Sequence, residues 1–270
     1  DYRPAVLFLN GAYWGIQNLR ERLDGHYLRA HHRVPADQVD LLEHFGKVQA
    51  LEGGDQDYRD LLARLEVADP ARPEVYRDLA ARMDLENFID YHILEIFVGN
   101  VDWPVGNVKL WRPRTEGARW RWMLYDTDLG FGLDPVYGAE FDMVWLLLDP
   151  VCDPWPNPPW STLLFRRLAR SAEFRRAFRN RFEQHLAGTF QSDRVVATID
   201  ALQAALEPEM QRQIDRWKGQ SDGFLGFTYP DSLERWRSHV EALRAFARER
   251  PAQLRRHLAK HFAEPAGTRP

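Results

Sequence analysis

The sequence predicts an α+β chain, with a small sheet-containing N-terminal part and a largely helical C-terminal part. Three observations carry that expectation. Ala5-Val6-Leu7-Phe8-Leu9, Asn10-Gly11 and the stretch 13–21 read as a strand, a tight type I′ turn and its return strand. Residues 108–111 and 120–125 read as a second antiparallel pair, with Trp120, Trp122 and Leu124 on one face. Between and beyond these, apolar residues recur mostly at helical spacing.

In order along the chain, residues 24–32 suit a short helix. Val39-Asp40-Leu41-Leu42 suits a strand, followed by a polar loop ending in the pair Gly53-Gly54. Residues 58–65 and 74–82 suit helices separated by the breaker Asp69-Pro70. Asp84 is an N-cap residue, and Leu85, Phe88, Ile89, His92, Ile93, Ile96 and Phe97 follow at helical spacing until Gly99-Asn100 stops them. A proline-dense irregular loop is expected over 149–160. Helices then follow at 161–171, 172–186 and 193–217, with a loop over 219–229 and a last helical segment over 231–262. There Pro251 is expected either to interrupt the helix or to open a new one. No internal repeat or low-complexity tract is present.

Composition excludes several classes. The 270 residues carry 36 basic and 40 acidic side chains, a formal net charge of -4, which lacks the electrostatic footprint of a nucleic-acid binder. Ten tryptophans suit core filling. Cys152 is the only cysteine, so no intrachain disulfide forms and the redox compartment stays open. No apolar run approaches the roughly 18–20 residues that span a bilayer. The chain starts at Asp1 rather than Met and runs at once into a strand, so an upstream segment is expected to be missing.

The chemistry concentrates in two stretches. Gly99-Asn100-Val101-Asp102-Trp103-Pro104-Val105-Gly106-Asn107 sets an Asp and an Asn five positions apart, and Asp126-Thr127-Asp128-Leu129-Gly130-Phe131-Gly132 adds two carboxylates on a glycine-bearing turn. Protein kinases use that order: a catalytic-loop Asp, an Asn five residues on that holds Mg²⁺, and a later metal-binding Asp. One Asp and one Asn suffice for Mg²⁺, which takes hard oxygen ligands and keeps several waters. Taken singly, Asp102, Asn107, Asp126 and Asp128 also read as loop residues bonding local amides. A calcium loop is excluded, because Gly130 and Tyr137 stand where its fifth and twelfth positions need oxygen ligands. His26, His31 and His32 lack a third ligand at zinc spacing. Gly11 and Gly15 suit a hairpin rather than a phosphate cradle, and Cys152 reads as a structural thiol.

The sequence resembles the CotH kinases, atypical protein kinases of the spore-coat type. The resemblance rests on residues 9–21 (Leu-Asn-Gly-Ala-Tyr-Trp-Gly-Ile-Gln-Asn-Leu-Arg-Glu), on Glu86-Asn87-Phe88-Ile89-Asp90-Tyr91 running into Gly99-Asn100-Val101-Asp102, on Asn107-Val108-Lys109-Leu110-Trp111, on residues 120–132 and, more loosely, on Phe246-Ala247-Arg248-Glu249-Arg250. It implies a divergent, two-lobed kinase fold, with 1–83 as the remainder of the N-lobe and 84–270 as the catalytic loops and helical C-lobe. It also implies use of ATP and Mg²⁺ (or Mn²⁺) to phosphorylate Ser/Thr hydroxyls on a protein substrate, with a spore-coat, cell-surface or exported setting. By position, Asp102 is then the catalytic aspartate, and Asn107 and Asp126 hold the metal. Asp128 is a second carboxylate near metal or nucleotide, and Glu21 the acidic residue near the phosphates. On its own, Glu21 reads as a surface partner of Arg20 or Arg22. Family members carry a phosphate-approaching lysine upstream of the hairpin, in the segment this sequence is expected to lack. Two other readings stay open: a catalytically inactive kinase-like binding module, and a metal-dependent glycosyl- or nucleotidyl-transferase using Asp126 and Asp128.

Overall fold

The computed structural model describes residues 2–149, 158–221, 223 and 226–263. The expected α+β class is the one observed, with a two-stranded and a four-stranded sheet and nine α-helices among the described residues. The chain divides into two compact units, one made of Asp1–Arg22 and Ser192–Arg248, the other of Leu23–Gln191 and Glu249–Pro270.

The first unit begins with the expected hairpin, β1 (Tyr2–Leu9) and β2 (Ala12–Arg20), paired antiparallel. Asn10 and Gly11 both have positive φ (51° and 79°), as a type I′ turn requires.

The second unit holds the larger sheet. α1 (Gly25–His32) is capped by Asp24, whose carboxylate accepts from the amides of His26 and Tyr27. β3 (Val39–Phe45) turns at Gly46 into β4 (Lys47–Glu52), a strand lying where sequence patterning suggested a polar loop. β4 is an edge strand with a mostly exposed surface, so its residues lack the apolar alternation that marks a strand. α2 (Gln56–Val67) and α3 (Pro73–Arg82) follow.

α4 (Leu85–Val98) starts at the Asp84 cap and ends at Gly99, as its pattern predicts. It is buried along Phe88, Ile89, Ile93, Ile96 and Phe97, with His92 and Glu95 buried among them. Asn87 stitches it to the sheet, accepting from the Trp122 amide (2.6 Å) and donating to the Trp122 carbonyl (3.2 Å). β5 (Val108–Pro113) and β6 (Arg121–Met123) complete the order β4-β3-β5-β6. Trp122 and Met123 are both buried, while Leu124 lies beyond the strand and is exposed. The one-face alternation predicted for this strand therefore fails, because both of its sides are covered.

α5 (Met143–Leu148) is a short helix the sequence did not announce. Six residues hold too few turns to display a period. α6 (Leu163–Leu168) and α7 (Ala172–Ala187) follow. On α7, Phe174, Phe178, Phe182 and Leu186 recur every four residues as one buried stripe. The proline-dense loop falls largely, and Cys152 wholly, outside the described residues.

Back in the first unit, α8 (Ser192–Trp217) packs on the hairpin. Gln213 Oε1 accepts from the Ile16 amide (2.8 Å), and the Trp217 indole donates to the Trp14 carbonyl (3.0 Å). Gly15 allows this approach, since a methyl there would lie 2.7 Å from both side chains. α9 (Leu233–His261), which belongs to the first unit as far as Arg248 and to the second from Glu249 on, runs through Pro251 without interruption. Phe246 and Ala247 before the proline, and Leu254 and Leu258 after it, are all buried, so packing holds the helix across its missing hydrogen bond. Among the described residues no helix is long and apolar enough to cross a membrane.

Candidate active site

The loop after α4 is shaped by its ends. Gly99 adopts a left-handed conformation (φ 67°) and its amide donates to the Glu95 carbonyl, closing the helix. The chain then turns through Asp102, whose carbonyl accepts from the Gly106 amide (3.1 Å). Trp103 anchors this turn in the core, its indole N–H donating to the Tyr91 hydroxyl (2.8 Å). The Phe45 ring lies so close over Gly106 that an added methyl would sit 2.7 Å from it. Asn107, at φ 57°, then leads into β5.

The second loop leaves β6 and folds back on the end of α4. Asp126 and Phe131 are left-handed (φ 55° and 57°). The Gly130 amide donates to the Thr127 carbonyl, and the Phe131 amide to the Val98 carbonyl (2.6 Å). Gly130 is required here, since a methyl would lie 2.9 Å from the same Val98 oxygen.

The two loops meet at Asn107. Its amide nitrogen donates to Asp102 Oδ2 (2.6 Å) and to the Asp126 backbone carbonyl (3.2 Å). Burial raises the Asp102 pKa to about 6, and the negative charges of Asp126 and Asp128 push in the same direction. Asp102, Asn107, Asp126 and Asp128 thus share one patch, in which Asp126 is tied in through its backbone. Glu21 belongs to the first unit, just past β2, beside Tyr2, Arg3, Leu19 and Arg20.

A polar layer lies beneath the patch. Asn100, fully buried, donates to Glu95 Oε2 (3.1 Å) and to the same Asp126 carbonyl (3.3 Å). Burial drives the Glu95 pKa up to about 8, and the charge of Asp102 adds to this against hydrogen bonds from Asn100 and Tyr91. Sequence reasoning assigned Asn100 only to stopping α4. The signal that could have found it is an Asn placed just past a glycine cap and two residues before a candidate catalytic Asp.

A divalent cation suits this donor set. Every candidate ligand is a hard oxygen, and the buried Asp102 Oδ1 has no hydrogen-bond donor. Among the described residues no three His, Cys, Asp or Glu side chains form a metal cluster by themselves. A cation here would therefore draw on Asn107 and on ligands the protein does not supply, as Mg²⁺ does with waters and phosphates.

The CotH kinase protein family matches residues 1–254, nearly the whole chain. The chain belongs to this family. No curated protein matches it. CotH membership makes its function kinase-like, and the two loops just described lie within the matched region.

Proposed function

We propose that this CotH protein transfers the γ-phosphate of ATP to a Ser or Thr hydroxyl of a protein substrate, using Mg²⁺ or Mn²⁺. The observation that carries the reading is the Asn107 amide, which bonds Asp102 and Asp126 together and so joins two motifs nineteen positions apart. Asn107, Asp126 and Asp128 would hold the cation. When bound, it supplies the positive charge that phosphate oxygens need during transfer.

The protein's own residues do the rest. Asn107 fixes the rotamer of Asp102 through Oδ2. The Asp102 carboxylate then orients the acceptor hydroxyl and takes its proton. A pKa of about 6 leaves it mostly ionised at neutral pH yet basic enough to accept. The layer of Glu95, Asn100 and Trp103 keeps the loop stiff, as a transferring site requires.

The test is transfer of label from γ-labelled ATP to protein acceptors, alongside thermal shifts with nucleotides. Asp102→Ala and Asp126→Ala are each expected to lower transfer by about 10²–10⁴-fold with folding intact. ATP with Mn²⁺ should stabilise the parent, and nucleotide sugars should not. Full transfer by a folded Asp102→Ala protein sinks the reading. Stabilisation by nucleotide sugars alone would point instead to a glycosyltransferase.

A further inference from the structure

We propose that Asn100 is a positioning residue for the candidate active site, clamping the Asp126 turn to the Asp102 loop. The inference rests on the reading of that site given above. Asn100 has no exposed surface, and its amide nitrogen spends both hydrogens on two different elements: Glu95 Oε2 in the last turn of α4 and the Asp126 carbonyl on the opposite loop.

The same Asp126 carbonyl also accepts from Asn107, whose amide holds Asp102 Oδ2. One peptide oxygen therefore receives two asparagine amides, one from each end of the Asp102 loop. Asp126 is left-handed (φ 55°), a conformation that aspartate tolerates better than most residues with a Cβ, and the two amides hold its peptide in that orientation. Glu95 is itself fully buried, so the far end of the clamp cannot swing to solvent.

The chemistry of Asn100 argues against simple space filling. Its Oδ1 is buried with no donor, which makes the side chain costlier than an apolar one of similar size. An amide kept at such a cost is explained by what its NH₂ group holds. Asn100 meets no solvent, so it acts through the Asp126 backbone rather than on a substrate. Outer partners of this kind typically change metal affinity or activity by about 10–100-fold when removed.

The test uses the full chain and three variants. Asn100→Ala removes the clamp. Asn100→Asp keeps its volume without the NH₂ donors, and carries the comparison if the alanine variant fails to fold. Phe182→Leu, in the buried α7 stripe and in neither acidic loop, is the control expected to lower Tm alone. Three quantities are read: Mn²⁺ binding by electron paramagnetic resonance with ATP present, amide exchange at Gly130 and Phe131, and steady-state transfer. The Asn100 variants should bind Mn²⁺ about 10–100-fold more weakly and exchange faster at both amides. They should lose kcat while the KM for ATP stays within about twofold. Phe182→Leu should show none of these changes. Parent-like Mn²⁺ binding and exchange in a folded Asn100 variant overturn the clamp. A parent that binds no Mn²⁺ overturns instead the reading of the site, and exchange at Gly130 and Phe131 still judges the clamp by itself.

Discussion

Glu95 sits in the last turn of α4 with its carboxyl sealed from water and tied to Asn100, and its proton has a thermodynamic consequence. Its folded pKa of about 8 lies above the ordinary 4.5, chiefly because burial penalises the charge. A raised acid pKa means the folded state holds the proton more tightly. The resulting stability is complete below pH 4.5 and is lost as pH climbs through 8. Glu95→Gln cannot ionise and should escape that loss. Its stability relative to the parent should therefore rise between pH 5 and pH 8, by an amount on the order of a few kcal/mol at the upper end, with Tm following in the same direction. Thermal unfolding at a series of pH values checks this, and a pH-independent Tm difference would contradict it. At this same scale, spacing and order picked out Asp102, Asn107 and Asp126 as candidates, and the fold brings the Asn107 amide to Asp102 Oδ2 and to the Asp126 carbonyl. The Asn100–Glu95 pair was not legible, because a glutamate at a helical position looks solvent-facing until the fold closes over it.

At the scale of elements, α4 shows how a helix end becomes a platform. The last four carbonyls of a helix have no partner within it. Here Glu95 O accepts from the amides of Gly99 and Asn100, and Val98 O from the Phe131 amide. Ile96 O and Phe97 O accept from the Arg250 guanidinium. Each of these four bonding arrangements also positions something: the Asp102 loop, the Asp126 turn, or α9. Gly99 is the pivot, because its left-handed backbone starts the loop at the required angle. Gly99→Ala should cost about 1–2 kcal/mol, measured by urea unfolding, and should speed amide exchange through residues 100–107. The start and stop of α4 were readable because Asp84 and Gly99 are local signals. β4 and α5 were not, being too exposed or too short to carry a period of their own.

At the scale of the whole molecule, residues far apart in the chain are joined by a few buried polar centres. Arg250 is fully buried and donates to the carbonyls of Ile96, Phe97, Ala139 and Phe141, so one side chain ties three segments of the second unit. Burial lowers its pKa to about 10, which leaves it cationic at neutral pH, facing the negative end of the α4 dipole. Arg250→Met keeps the length and removes every donor. It should lower stability by about 3–5 kcal/mol, since several buried carbonyls lose their partner at once. A urea midpoint equal to the parent's would show that water replaces the guanidinium. In the first unit, β2 is likewise completed by α8, about two hundred positions later, through Gln213 and Trp217.

The sequence by itself determined the α+β class, the hairpin at Asn10-Gly11, the limits of α4 and the order of the two acidic loops. Each of these depends on side chains close together in the chain. Tertiary structure alone decided that α9 passes through Pro251 unbroken, that β6 is covered on both sides, and that Asn100, Asn107 and Arg250 serve backbone carbonyls of distant segments. A buried polar group chooses its partner by which carbonyl or carboxylate the packed core leaves without water, and local sequence cannot specify that choice.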